Sequence, residues 1–439
     1  MRKTWLILFT MPLVCAAAPL QLSLKRAVEI AVSPEGNTNI QLSGEALKQA
    51  QARSAESRAA LLPDLEASVT GQSRTENLSA LGLGAVALPI PGFHFPTFVG
   101  PFSTFDARAT ATQSVFDFSS IRRYQASKVG VSAAKSDIRN TDNQVAAQVA
   151  RAYLAAVKAD TDVETAQANV TLSEALLTQA NNQKTAGTGT GIEITRARVQ
   201  LANDRQLLLV AQNARRAAHL QLLRVMGLRL DTEIELTDRL EYAPVDAMTL
   251  EQAAQQALRE RADLEAQQRR EENARLSASA TRLDRLPSLA AFGDYGSIGT
   301  GFDSALPTRT IGFQVKVPVF DGGRRDAQRA ESASQYRAEK TRTNDLKQQI
   351  ELDVRLALDE LKSAEDQVNV SKDGLELSQN ELAQARRRYE GGVANSVEVT
   401  DAQTRLERAR DNQTAALYLY NVARIDLAQA MGRVRAAVQ

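Results

Sequence analysis

The stretch Tyr389–Leu406 reads YEGGVANSVEVTDAQTRL. Glycines stop one helical run, a polar residue opens the next, and the Glu398 carboxylate stands between Val397 and Val399. An earlier stretch, Lys184–Leu201, reads KTAGTGTGIEITRARVQL and has the same layout. Gly187 matches Gly392, Glu193 matches Glu398, Ile194 matches Val399, Ala197 matches Ala402 and Leu201 matches Leu406. A constant shift of roughly 205 residues carries one copy onto the other, so the chain is a tandem internal repeat.

Each glycine tip lies between two long helical patterns. A run of about 65 residues, roughly 100 Å, precedes it, and one of about 35 residues, roughly 55 Å, follows. In the last run Val399, Ala402, Leu406, Ala409, Ala416, Tyr420, Ala423, Leu427 and Ala430 fall on a 3-4 spacing interrupted at Gln413. This heptad-like seam is rich in alanine, which lets helices approach closely. Upstream, the long runs begin at matching turns, SVFDFSS at Ser114–Ser120 and PVFDGGRR at Pro318–Arg325.

Before those turns the period is two. Leu65, Ala67 and Val69 alternate with polar neighbours, as do Phe105, Ala107, Ala109 and Ala111, and again Ile311, Phe313, Val315, Val317 and Val319. Each copy therefore predicts two strands, joined by a Gly/Pro-rich loop at Leu78–Ser103 or Gly296–Thr308. Alternation fits a half-buried soluble strand and equally a barrel wall between lipid and water. Four strands cannot close a barrel, since the smallest transmembrane barrels need about eight, so several chains would have to share one wall. The rival is two hairpins packed as a small soluble sheet. Each first strand follows a proline, LLPDL at Leu61–Leu65 and RLPSL at Arg285–Leu289, which ends the preceding helix. That helix is predicted across Leu22–Ala60 with Ser23 as N-cap, and its counterpart is Thr249–Leu264. Leu228–Met248 reads as a linker with a short strand at Glu233–Leu236.

Lys+Arg 53 against Asp+Glu 52 gives a net charge of +1, so no basic field marks a nucleic-acid binder. Arg2, Lys3, the apolar run Trp5–Val14 and the small residues of CAAA predict a signal peptide, cut after Ala16 or Ala17. A lipoprotein signal wants a small residue just before Cys15, and Val14 is not one. With the only Cys removed, the mature chain forms no disulfide. No later stretch is long and apolar enough to be a transmembrane helix. The two histidines, His94 and His219, form no ligand cluster, and no Ser or Cys has an evident base. GTGTG at Gly187–Gly191 lacks the Lys-Ser/Thr of a phosphate loop and reads as a helix stop. The expectation is no enzyme, no metal and no cofactor.

The LPxL and VFD turns, the YxxGxxxxxEVxxA pattern from Tyr389 to Ala402, the export signal and the duplication together resemble the TolC family of outer membrane efflux proteins. The resemblance covers nearly the whole mature chain. It implies a mainly α fold with a β-barrel part: tandem long α-helical hairpins forming a periplasmic tunnel, and four strands per chain in a trimeric, twelve-stranded outer membrane barrel. It also implies a passive duct of a tripartite efflux or type I secretion system. The partners would be a periplasmic adaptor, an inner membrane pump of resistance-nodulation-division or ABC type, and outer membrane lipid. Acidic rings on the second tip would map to Glu398 and Asp401, a cation-attracting constriction. The closed-state lock would include Tyr389 and Glu193; a basic residue found in some members is replaced by Ala394, with Arg196 a substitute. The glycines Gly187, Gly191, Gly391 and Gly392 would present the adaptor-docking tips. The alternatives are a periplasmic coiled-coil adaptor or a scaffold protein of an export complex. On this reading the chain divides into a signal at 1–17, a first repeat at 18–227, a linker at 228–248, a second repeat at 249–432 and a tail at 433–439.

Overall fold

The computed structural model describes residues 19–82, 91, 96–245 and 248–438. The signal peptide with Cys15, and His94 of the first loop, lie outside the described residues.

The order is β1 (Leu20–Leu22), α1 (Leu24–Val32), α2 (Thr38–Ala59), β2 (Asp64–Asn77), β3 (Phe98–Phe116), α3 (Phe118–Thr185), α4 (Gly191–Met226) and β4 (Ile234–Leu236). The second half runs α5 (Leu250–Glu260), α6 (Ala262–Leu283), β5 (Ser288–Gly299), β6 (Leu306–Lys316), α7 (Arg324–Glu390), α8 (Ser396–Ala430) and α9 (Val434–Val438). Two compact units take segments from both copies: one holds the N-terminal segment to Glu45, Asp137–Leu264 and the chain from Leu346; the other holds Ala46–Ser136 and Glu265–Asp345.

Within the second unit, β2, β3, β5 and β6 form one antiparallel sheet in that order. The predicted prolines, Pro63 and Pro287, sit between helix end and strand start. Register puts Leu65, Ala67 and Val69 beside Ala111, Ala109 and Ala107 on one face, which continues through Tyr295 and Gly293 to Ile311, Phe313 and Val315. The opposite face carries Glu66, Ser68, Thr110, Thr310 and Gln314, with Arg108 held by Asp106 at 2.9 Å and by Asp294 at 3.1 Å. The apolar face is uncovered: Leu65 is 77% exposed and Ile311 82%.

Three bounds expected around this sheet differ. The first loop does not reach Ser103, because β3 already starts at Phe98 and pairs with Asn77. The second is only the turn from 300 to 305, with Gly296–Gly299 and Leu306–Thr308 inside strands. Alternation through Val319 overran the strand, which ends at Lys316 as the chain turns toward the cap of α7.

The helix predicted over Leu22–Ala60 is two helices behind a short strand. Ser23 does cap α1, accepting from Arg26 N, but α1 stops at Val32 and Pro34–Gly36 carries the break. Asn37 fixes that break: its Nδ2 donates to the Val225 carbonyl at 2.6 Å and its Oδ1 accepts from Asn39 N at 2.7 Å. A Cβ on Gly227 would lie 2.7 Å from the Gly36 carbonyl, so only glycine ends α4 this close to the bend. The predicted short strand is present as β4, paired in parallel with β1.

Both long-helix turns are capped by their aspartates. Asp117 accepts from Ser119 N at 2.9 Å and Ser120 N at 3.2 Å; Asp321 accepts from Arg325 N at 3.2 Å. In the first unit the repeat governs the core. Val145, Val149, Leu222 and Met226 are buried in one cluster, and Ile350, Val354, Leu427 and Met431 take the matching places in another. The α8 seam is buried as its spacing predicts, except that Ala409 is only half-buried.

Candidate functional site

Both hairpin tips close by the same backbone chemistry. Gly187 and Gly392 adopt left-handed conformations, φ 76° and 69°, which a side chain would strain. Thr188 N donates to the Gln183 carbonyl and Val393 N to the Arg388 carbonyl, both at 3.0 Å. The GTGTG run therefore serves as a helix stop. Gly187, Gly191, Gly391 and Gly392 are all exposed at the two turns.

The first tip turns its carboxylate inward: Glu193 Oε2 accepts from Thr190 N at 2.8 Å. At the second tip Asn395 Oδ1 accepts from both Val397 N and Glu398 N, at 3.1 and 3.2 Å. Glu398 instead meets Arg388, whose Nε lies 2.9 Å from its Oε1. Asp401, one turn further on, is exposed.

Tyr389 is 9% exposed and packs with Leu382, Ala385, Val399, Ala402 and Leu406 against Leu172 and Leu176 of the first hairpin. Among the described residues, its hydroxyl and that of Ser396 have no hydrogen-bond partner. Both line a cleft with Glu193 and Arg196 that leaves about 30 Å³, enough for one water. Burial first, and then the Glu193 charge, raise the Tyr389 phenol above its ordinary value. The structure thus brings Tyr389, Glu193 and Arg196 together without a direct bond between them, and leaves Glu398 and Asp401 on a separate, exposed face.

One group escaped the sequence reading. Ser173, Asp204 and Gln403 are each 1% exposed and hydrogen-bonded across both hairpins. Asp204 stands three residues after seam residue Leu201, and Gln403 follows seam residue Ala402; polar residues in or beside an apolar seam were the available signal. His219 instead has a plain role, its Nε2 2.9 Å from Asp160 Oδ1. Among the described residues no cluster of His, Cys, Asp and Glu is arranged for a metal, and no helix is long and apolar enough to cross a membrane.

The family model of outer membrane efflux proteins matches residues 35–228 and 253–433, one segment in each copy of the repeat. The chain belongs to the outer membrane efflux protein family. Among similar relatives of this efflux protein, the alkaline protease secretion protein AprF of Pseudomonas aeruginosa is 22% identical over 332 residues, covering 73% of this chain and 68% of its own. The pyoverdine export outer membrane protein OpmQ of Pseudomonas putida is 24% identical over 396 residues, covering 88% and 81%. Solved channels share the fold: CmeC of Campylobacter jejuni with TM-score 0.79 at 16% identity, covering 93% of this chain and 85% of that one, and VceC of Vibrio cholerae with 0.77 at 18%, covering 93% and 96%. The efflux protein is an outer membrane exit duct for efflux or type I secretion, which sets aside the adaptor and scaffold readings.

Proposed function

We propose that three copies of this chain close one twelve-stranded barrel and that the long hairpins continue it as a periplasmic tunnel. The observation that carries this is the sheet itself. Its outer strands, β2 and β6, each pair on one side only, and its apolar face lies open. Unpaired edges and an uncovered apolar face are untenable for a lone chain in water, whereas closure by neighbouring copies in lipid satisfies both. On the hairpins, Ile192 and Val199 of α4 and Val370 and Leu377 of α7 are exposed at heptad spacing, which supports helix packing between copies.

In this reading the protein is no enzyme. It docks through the tips at Gly187, Gly191, Gly391 and Gly392 onto a periplasmic adaptor, and an inner membrane pump of resistance-nodulation-division or ABC type delivers the cargo. Glu398 and Asp401, repeated around the threefold axis, form the acidic constriction, with Arg388 offsetting part of the Glu398 charge. Tyr389 and Glu193, sharing one cleft with Arg196, hold the closed state. Planar-bilayer recording of the purified protein tests the assembly. A small cation-selective conductance is expected, with selectivity reduced in Glu398→Ala/Asp401→Ala. Unchanged selectivity moves the gate elsewhere, and no insertion from folded protein overturns the channel.

A further inference from the structure

Above the tips, three helices from both hairpins meet at polar groups. Ser173 of α3 donates to Asp204 Oδ2 on α4, and Gln200 Nε2 donates to Asp204 Oδ1 at 3.0 Å. From α8, Gln403 Nε2 lies 2.8 Å from Ser173 Oγ and 3.0 Å from Glu407 Oε1. Asp204 is thus buried with neutral donors for both oxygens and, among the described residues, no cation bonded to it, an arrangement that makes any second negative charge beside it costly.

The second charge is Glu407. It lines a cavity of about 640 Å³ with Lys158 and Asp162 of α3, Asp204 of α4, and Arg408 and Asp411 of α8. Of the nearby cations Lys158 is paired at 2.6 Å with Asp162, Arg408 shares the cavity lining, and Arg410, which donates to Asn169 at 2.8 Å, still acts on Glu407 through its charge. Burial first, then the charge of Asp204 and to a lesser degree that of Asp411, push the Glu407 carboxyl up to about 7 against the opposing pull of the Gln403 hydrogen bond and the Arg410 charge. Burial also raises Asp204 and Asp411.

We propose that Ser173, Asp204, Gln403 and Glu407 form a proton-sensitive latch, which holds α8 on α3 and α4 while Glu407 is protonated and lets the second hairpin swing away when Glu407 ionises. The proposal rests on the reading that the tips part to open the duct. Once released into solvent, Glu407 would return toward its ordinary 4.5. Below that value both states hold the proton and the latch is fully favoured. Between 4.5 and 7 the latched state loses ground by up to roughly tenfold per pH unit. Above 7 the loss is complete. Acid closes and neutral-to-alkaline conditions release.

Two readouts on the full-length protein across pH 5.5 to 8 test this: amide hydrogen exchange of Ser396–Asp411, corrected for intrinsic rates, and single-channel conductance. The wild type is expected to lose at least tenfold of its α8 protection, and to gain conductance, as pH rises. Glu407→Gln keeps the size and the hydrogen bond but cannot ionise, so both profiles should become flat with α8 protected throughout. Asp204→Asn removes the repelling charge and should move the wild-type midpoint to lower pH. A wild-type protection independent of pH, or a Gln variant that follows the wild-type profile, overturns the latch. Exchange that behaves as expected beside conductance that ignores pH keeps the latch and overturns the parting of the tips.

Discussion

The two tips are copies of one sequence pattern, yet they spend the same carboxylate differently. Glu193 and Glu398 hold the same position, three residues past the residue that opens the helix. In the first copy that residue is Thr190, and Glu193 folds back to its backbone N–H. In the second it is Asn395, whose longer side chain takes two free N–H groups at once. These are N–H groups of the first turn, not the cap residue's own N–H that Glu193 takes in the first copy, and the Glu398 carboxylate lies at Arg388 instead. The same acid closes the capping box in one copy and pairs with a cation in the other.

The largest effect on this comparison is expected beneath the tips. Leu406 is 4% exposed and Leu201, its counterpart, 7%. Each change to Ala should cost about 2–5 kcal/mol, with Leu406→Ala the more costly because the Tyr389 cluster rests on it. Thermal unfolding of the detergent-solubilised protein reads the difference, and equal losses would mean the two seams are equivalent. At the caps, Asn395→Ala should cost about 1 kcal/mol and Thr190→Ala less, since Glu193 still holds its own bond; amide exchange at Val397 and Glu398 against Ile192 and Glu193 measures this.

A sharper version exchanges the caps. Asn395→Thr should return Glu398 to the helix start, and the Arg388–Glu398 coupling in a double-mutant cycle should then fall toward zero. Coupling that persists would show that Arg388, not the cap, directs the acid. Smallest is Arg388→Ala itself. Both partners are about half exposed, 57% and 43%, so the stability change should stay within about 0.2–1 kcal/mol and shrink with added salt.

The repeat made most of the fold legible. The glycine tips, the aspartate turns and the two prolines are local signals, and each lies where a helix or strand changes. β1 was not legible, because three residues are too short for a period to show, and its partner β4 lies more than 200 residues away. The bend at Pro34–Gly36 had its signal in plain view, but the Ala-rich helical pattern on either side masked it. β3 was shortened because Gly100 and Pro101 interrupt alternation, although the pairing with β2 continues past them to Phe98. Of the site, the tip residues followed from the resemblance, since Tyr389 and Glu193 are 196 residues apart and nothing local joins them. The latch needed the structure for the same reason: Ser173 and Gln403 are 230 residues apart.

The bond between β3 and β5 joins the two copies inside one sheet, pairing Phe105 with Gly299 and Ala109 with Tyr295. Duplication therefore did not leave two autonomous modules. While only the first half of the chain has emerged, β2 and β3 can zip together, but the other edge of β3 has no partner within the chain until β5 begins to arrive. Such distant pairing makes for slow folding and a long interval in which a bare strand is open to the wrong neighbour. The timing of synthesis and export, and not only the final energy, is then part of what this sequence must satisfy.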